Sequence, residues 1–271
     1  MSDLKLMMEA ELKGLQFIQS GFHLKPLNGG AVNSSYYLEA SNKSYFVKTF
    51  ESDKVALLDR KKLFDIQLEL ASKGLAVKPV YLSKSCDFQI DEWLDIPTLD
   101  QADVSNLTAT QSLASALSIL HNTKINAPKL NLPLQWRHYL SVINMSVSAS
   151  EQKTLDSYAA IWNQACLTKS VFCHNDLALS HVIYTQPSKI FDWEYCAISC
   201  PYFDLASCVA INGFGAADEA SLYAFYAQHS EQRLSEVIAK VSIMKPLVEL
   251  TNKLWYQAAH QSALNTLDIA I

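Results

Sequence analysis

The densest group of chemically capable side chains lies in Val171-Phe172-Cys173-His174-Asn175-Asp176-Leu177, with Ala178-Leu179-Ser180-His181-Val182-Ile183 directly after it. A short apolar strand runs into a His-x-Asp turn, and a second apolar strand opens five residues beyond the aspartate. Such a turn holds Asp176 at a strand end, where its carboxylate can take a proton from a substrate hydroxyl. A second acidic strand end, Ile190-Phe191-Asp192-Trp193-Glu194, follows sixteen residues past Asp176. Two carboxylates on adjacent strand ends suit Mg²⁺, which binds a few carboxylates together with substrate phosphates.

The elements that must position these groups follow from the change of hydrophobic period along the chain. A helical opening over residues 3–19 gives way to β character over 22–50, where Tyr36-Tyr37-Leu38 and Tyr45–Phe50 flank the polar turn Ser41-Asn42-Lys43-Ser44. Residues 53–73 form a helix stopped at Lys73-Gly74, and short strands are predicted near Val80–Leu82 and Phe88–Ile90. Three-to-four-residue spacing then predicts helices over 105–121, 137–145, 150–167, 203–211, 217–228, 231–242 and 246–269, interrupted by β segments at 171–173, 181–184 and 189–192. Residues 1–94 therefore read as a β-rich lobe and residues 95–271 as a helical lobe, with a cleft expected where two lobes meet at a short hinge.

Composition narrows the function classes. Lys plus Arg is 22 against 27 Asp plus Glu, a net charge of −5 that excludes a broadly basic nucleic-acid binder. No apolar run is long enough for a spanning helix, and Asp3, Lys5, Glu9, Glu11 and Lys13 interrupt the first twenty residues, so a soluble cytoplasmic protein is expected. The six cysteines have no pair in the tight spacing of structural zinc sites and read as reduced, buried thiols.

The strings VFCHNDLALSHVIY, KIFDWEY and PYFDLAS together resemble the catalytic core of the aminoglycoside phosphotransferase and choline/ethanolamine/thiamine kinase-like superfamily. The resemblance is specific over about residues 171–206 and weaker over the rest of the chain. It implies an α+β, bilobal protein-kinase-like fold, with a small β-rich N-terminal nucleotide-binding lobe and a larger helical C-terminal lobe. It further implies that Asp176 is the catalytic base, Asp192 a metal ligand and Asp204 a structural residue at a helix start. Leu27-Asn28-Gly29-Gly30-Ala31-Val32-Asn33-Ser34 resembles the family's phosphate-covering loop, which assigns Gly29, Gly30, Asn33 and Ser34 to the nucleotide. Taken alone, Asn-Gly-Gly between strands is a turn, and Lys48 is a solvated strand lysine. By the resemblance Lys48 pairs with nucleotide phosphates, while Glu92 and Leu94 border the adenine. Trp255 and Tyr256 lie where such kinases place aromatic residues around a cationic substrate, although core packing explains the same spacing.

Three positions depart from the family's pattern. The metal-binding asparagine five residues after the catalytic aspartate is His181, whose imidazole favours softer metals than Mg²⁺. The helix over 53–73 has no obvious glutamate for Lys48, leaving Asp59, Asp65 or Glu69 as substitutes. The acid that choline kinases carry after their Asp-Leu pair is missing from Ala206–Asn212. The expectation is an ATP- and Mg²⁺-dependent enzyme that phosphorylates the hydroxyl of a small molecule. Choline-, ethanolamine- or thiamine-like alcohols come ahead of aminoglycosides as acceptors. The alternative is a weak or inactive kinase-like protein that serves as a nucleotide- or metabolite-binding module. A metal centre on His174, His181 and Cys173 is the poorest reading, since no further soft ligand has fixed spacing to them.

Overall fold

The computed structural model describes residues 3–18, 21–27 and 33–268. The fold is α+β, and the chain divides into two compact units, Met1–Lys54 with Leu58–Asp95, and Val55–Leu57 with Ile96–Ile271.

The first unit is built on a five-stranded antiparallel sheet ordered β1-β2-β3-β5-β4, from β1 (Phe22–Leu27), β2 (Ser35–Ala40), β3 (Lys43–Thr49), β4 (Pro79–Leu82) and β5 (Phe88–Glu92). Because side chains alternate along a strand, one face collects Leu38, Tyr45, Val47, Phe88 and Ile90. Met8 and Leu12 of helix α1 (Asp3–Leu12) complete that core, each fully buried aliphatic group contributing about 1.5–3 kcal/mol. The opposite face carries Phe46, Lys48, Gln89 and Asp91, paired Phe46 with Asp91 and Lys48 with Gln89.

Helix α2 (Arg60–Ser72) starts later than its apolar pattern predicts. Asp59 caps it by accepting the Lys62 amide at 3.0 Å, and residues Glu51–Lys54 form a separate 3₁₀ turn. Arg60 ties the two together: it is buried, bonds Asp53 and Ser52, both at 2.8 Å, and its guanidinium sits 3.7 Å from the Phe50 ring.

The second unit is largely helical. Helices α3 (Asn106–Asn122), α4 (Leu132–Ile143) and α5 (Ala149–Thr168) begin at the capping residues Ser105, Asn131 and Ser148. Ser148 and Glu151 form a reciprocal capping box. Asn131 and the Pro at the second helical position set α4 earlier than apolar spacing alone suggests. Helices α6 (Pro201–Ile211), α7 (Ala216–His229) and α8 (Leu234–Asp268) complete the unit, α3 packing on α7 and α8 on α4, α6 and α7.

The sequence pattern predicts two helices across 231–269, and the structure has one, with Pro246 inside it. The proline removes the donor for the Ser242 carbonyl, but Ser242 is exposed and water can serve that group. The buried positions Val237, Val241, Met244, Val248, Leu254 and Ala258 continue through the proline at helical spacing.

Two small sheets interrupt the helices. Strand β6 (Val171–Cys173) pairs with β9 (Ala197–Ser199), and β7 (Val182–Ile183) with β8 (Lys189–Ile190). Cys173, Cys196, Cys200 and Cys208 are buried and unbridged, and burial pushes each thiol up. Among the described residues no helix is long and apolar enough to cross a membrane.

Candidate active site

Within the helical unit, the turn after β6 is held from below by Asp204 in the first turn of α6. This carboxylate is fully buried and accepts the His174 amide at 3.0 Å and the Asn175 amide at 2.7 Å. His121 Nε2 lies 3.0 Å from the same carboxylate, and its Nδ1 lies 2.7 Å from the Tyr226 hydroxyl. The only group of three or more metal-capable side chains among the described residues is His121, Cys173 and Asp204. With both ring nitrogens and the carboxylate already hydrogen-bonded, that trio is a structural brace.

Asn175 takes a left-handed backbone conformation, φ 64°, which asparagine tolerates. Its amide donates to the Tyr195 carbonyl at 2.9 Å and accepts the Ser199 hydroxyl at 2.7 Å. Ser207 donates to the Asn175 carbonyl at 2.8 Å, so every polar group of this residue fixes the backbone that presents Asp176. His174 points inward, with its ring 4.9 Å from Trp193 and Nε2 3.1 Å from the Phe191 carbonyl. Burial, with His181 second, pushes its pKa down to about 4, so it is neutral.

His181 closes a 3₁₀ turn, Leu179–His181, rather than opening the following strand as its apolar neighbours suggest. Its Nδ1 lies 2.9 Å from the Asp176 carbonyl and its Nε2 3.6 Å from Asp192 Oδ2. A carbonyl only accepts, so Nδ1 carries a proton and Nε2 is the ring atom turned toward Asp192. Asp192 itself sits at φ 65°, at the head of the turn Trp193–Tyr195. An imidazole nitrogen and a carboxylate oxygen brought to this spacing are groups that could hold a divalent cation together.

Glu194, Tyr139 and Tyr195 join this group. The pKa of Tyr139 is raised by burial and then by the negative charges of Asp176 and Glu194. Tyr195 is raised in the same way, by burial, Glu194, Tyr139 and Asp176. Both phenols therefore stay protonated beside two carboxylates. Trp255 donates its indole N–H to the Tyr195 hydroxyl at 2.8 Å, which brings α8 to the same place. Tyr256 packs edge-on against Trp255 but is 63% exposed and turns away. Trp136 is buried and bonded to Thr251 at 2.9 Å.

Within the sheet unit, Gly29 and Gly30 lie outside the described residues. Asn33 accepts the Ser52 amide at 2.8 Å, and the Ser34 hydroxyl donates to Glu51 at 3.2 Å, so both side chains fasten the end of their loop to the turn after β3. Lys48 projects from the face of the sheet opposite the apolar core. The Glu92 amide donates to the Lys78 carbonyl at 2.9 Å and the Trp93 amide to the Ser44 carbonyl at 3.3 Å. Leu94 follows two residues past the end of β5.

Against known proteins, residues 23–239 match the family described as Phosphotransferase enzyme family. Protein LicA of Haemophilus influenzae is 22% identical over 189 residues, which cover 67% of this chain and 56% of that protein. The chain thus spans little more than half the length of that relative. A crystal structure of LicA in complex with AMP superposes with a TM-score of 0.76 at 20% identity, covering 96% of this chain and 91% of the other. That of choline kinase LicA from Streptococcus pneumoniae gives 0.75 at 22% identity, covering 97% and 92%. At these identities the likeness establishes a shared fold.

Proposed function

Because this chain belongs to the phosphotransferase enzyme family, we propose that it transfers the γ-phosphate of ATP to the hydroxyl of a small cationic alcohol. Choline-, ethanolamine- and thiamine-like compounds are the favoured acceptors. The observation that carries this reading is the gathering of Asp176 and Glu194 around Tyr139 and Tyr195, with Trp255 bonded to Tyr195. A carboxylate next to protonated phenols and an indole suits an alkylammonium, which gains both Coulombic attraction and cation–π contact. Glu194 thereby supplies the acidic group that the segment after Asp204 lacks. One structural relative, choline kinase LicA from Streptococcus pneumoniae, points the same way.

In this mechanism Asp176 orients the acceptor hydroxyl and takes its proton as the oxygen attacks the γ-phosphorus. The new O–P bond forms as the bond to the bridging oxygen breaks, and ADP leaves. Asp192 supplies the hard oxygen that would hold Mg²⁺, with His181 as the softer second donor beside it, and the ion would neutralise charge on the phosphate oxygens. Asp204 and Asn175 keep the Asp176 backbone from shifting when the acceptor binds. In the sheet unit Lys48 meets the phosphates and Leu94 offers backbone to the adenine. Asn33, Ser34 and Glu92 anchor the segments that carry those contacts. The AMP complex of a structural relative supports an adenine nucleotide as the ligand.

The test is ADP release from Mg-ATP across a panel of choline, ethanolamine, thiamine, simple sugars and aminoglycosides, with Asp176→Asn as the blank. Acceptor-dependent turnover that disappears in the variant is the expected result. If no acceptor gives turnover while Mg-ATP still raises the melting temperature, the protein is a binding module, the reading that the His181 replacement favours. Failure of both rejects the nucleotide.

A further inference from the structure

Lys48 needs a carboxylate to fix its ammonium, and helix α2 does not present one to it. Asp59 is spent on the helix cap, Asp65 is exposed, and Glu69 pairs with Lys73 at 3.7 Å. The residue that α2 does turn toward the sheet is Gln67, which is buried and donates to the Val77 carbonyl at 3.0 Å. A neutral amide thus makes the helix's hydrogen bond to strand β5.

We infer that Asp91, on strand β5, is the residue that positions Lys48, resting this on the nucleotide-binding role proposed for that lysine. Lys48 lies directly opposite Gln89 in the β3–β5 ladder, and Asp91 lies two residues further along β5, opposite Phe46. All four side chains leave the same face of the sheet. Diagonal neighbours of this kind have their backbones about 7–8 Å apart, within the reach of a lysine side chain. Lys48 is the only cation of β3 or β5 on that face.

Asp91 is also the buried carboxylate of this unit among the described residues, at 7% exposure. A carboxylate so placed needs positive charge and hydrogen bonds around it. Gln89 supplies one bond, donating to Asp91 Oδ1 at 2.7 Å while its amide also donates to Gln67 Oε1 at 2.8 Å. The chain from Val77 through Gln67 and Gln89 to Asp91 therefore locks the rotamer of the carboxylate from the helix side. The helix acts on Lys48 through two amides and a strand aspartate.

The experiment is calorimetric titration of Mg-ATP and of adenosine into the wild-type protein, Asp91→Asn, Asp91→Glu, Lys48→Met, the Asp91→Asn/Lys48→Met double variant, and Glu69→Gln as the control at a carboxylate paired with Lys73. Asp91→Asn is expected to weaken Mg-ATP about 10-fold and leave adenosine within about twofold, because only the phosphates meet Lys48. In the Lys48→Met background the same change should add nothing, Asp91→Glu should recover part of the loss, and Glu69→Gln should behave as wild type. Equal losses for ATP and adenosine, or additive losses in the double variant, make Asp91 merely structural and overturn the inference. If Asp91→Asn alone does not fold, recovery of folding in the double variant supports the pairing, and continued failure overturns it. A wild-type protein that binds no Mg-ATP defeats the nucleotide reading itself, and this inference with it.

Discussion

His181 Nδ1 lies 2.9 Å from the backbone oxygen of Asp176, so the residue facing Asp192 is oriented by the residue proposed as the base. The bond selects one tautomer and leaves Nε2 as the donor atom. Replacing asparagine by histidine at this position changes the hardness of the donor while its anchorage is kept. The protein should therefore bind Co²⁺ or Ni²⁺ more tightly, relative to Mg²⁺, than an oxygen-only site does. His181→Asn should lower Co²⁺ affinity about 10-fold with a much smaller effect on Mg²⁺, read by the visible absorption of bound Co²⁺. Unchanged Co²⁺ affinity in the variant removes His181 from the site.

The turn itself should report pH through His174. Its pKa is lowered from 6.5 to about 4, mainly by burial, so between these values the unfolded chain binds a proton that the native protein refuses. The neutral ring's contribution is therefore fully present above pH 6.5 and is lost as pH falls toward 4, by up to about 3 kcal/mol. Melting temperatures from pH 7.5 to 4.5 should fall less steeply in His174→Gln than in the wild type. Parallel curves would show that another group sets the acid limb.

Asp204 serves two amides and an imidazole from a fully buried position. Removing the carboxylate leaves those donors stranded, so Asp204→Ala should cost about 3–5 kcal/mol in urea unfolding. Asp204→Asn keeps one acceptor and should cost less, while still lowering turnover because the Asp176 backbone is no longer held at both amides. An Asn variant with wild-type turnover would mean that Asn175 alone fixes the turn.

Trp255 and Tyr256 should separate cleanly. Trp255→Ala removes the indole bonded to Tyr195 and should raise KM for a quaternary ammonium acceptor about 10-fold, roughly the value of one desolvated cation–π contact. Tyr256→Ala, at a position 63% exposed, should stay within twofold of wild type. Steady-state kinetics with a cationic and an uncharged alcohol distinguish loss of a pocket from loss of packing, since a packing defect weakens both acceptors alike.

The parts of this arrangement that can be read in the sequence are local ones. His174-Asn175-Asp176 and Asp192 each close a short apolar strand, so pattern and spacing alone mark them. Glu194 stands in the same string, yet its effect on Tyr139 depends on where α4 lies against the turn Trp193–Tyr195, which no local pattern encodes. Strand β9 is three residues long, too short to carry a pattern in the sequence, so it emerges only as the partner of β6. The absence of a helix carboxylate for Lys48 is visible in residues 53–73, whereas Asp91 emerges only from strand register. Pro246 misleads in the other direction, because a breaker is judged by its neighbours' periodicity and here the buried stripe continues through it.

The four sealed thiols of the helical unit give the molecule a reporter of its own opening. In the native protein an alkylating reagent meets only Cys86 and Cys166, which are partly exposed, while Cys173, Cys196, Cys200 and Cys208 are closed off and held as unreactive thiols. Cys173 is the last residue of β6, and Cys196 and Cys200 stand immediately before and after β9. The slow phase of labelling thus clocks how often the turn that carries Asp176 comes apart, with no probe added to the chain.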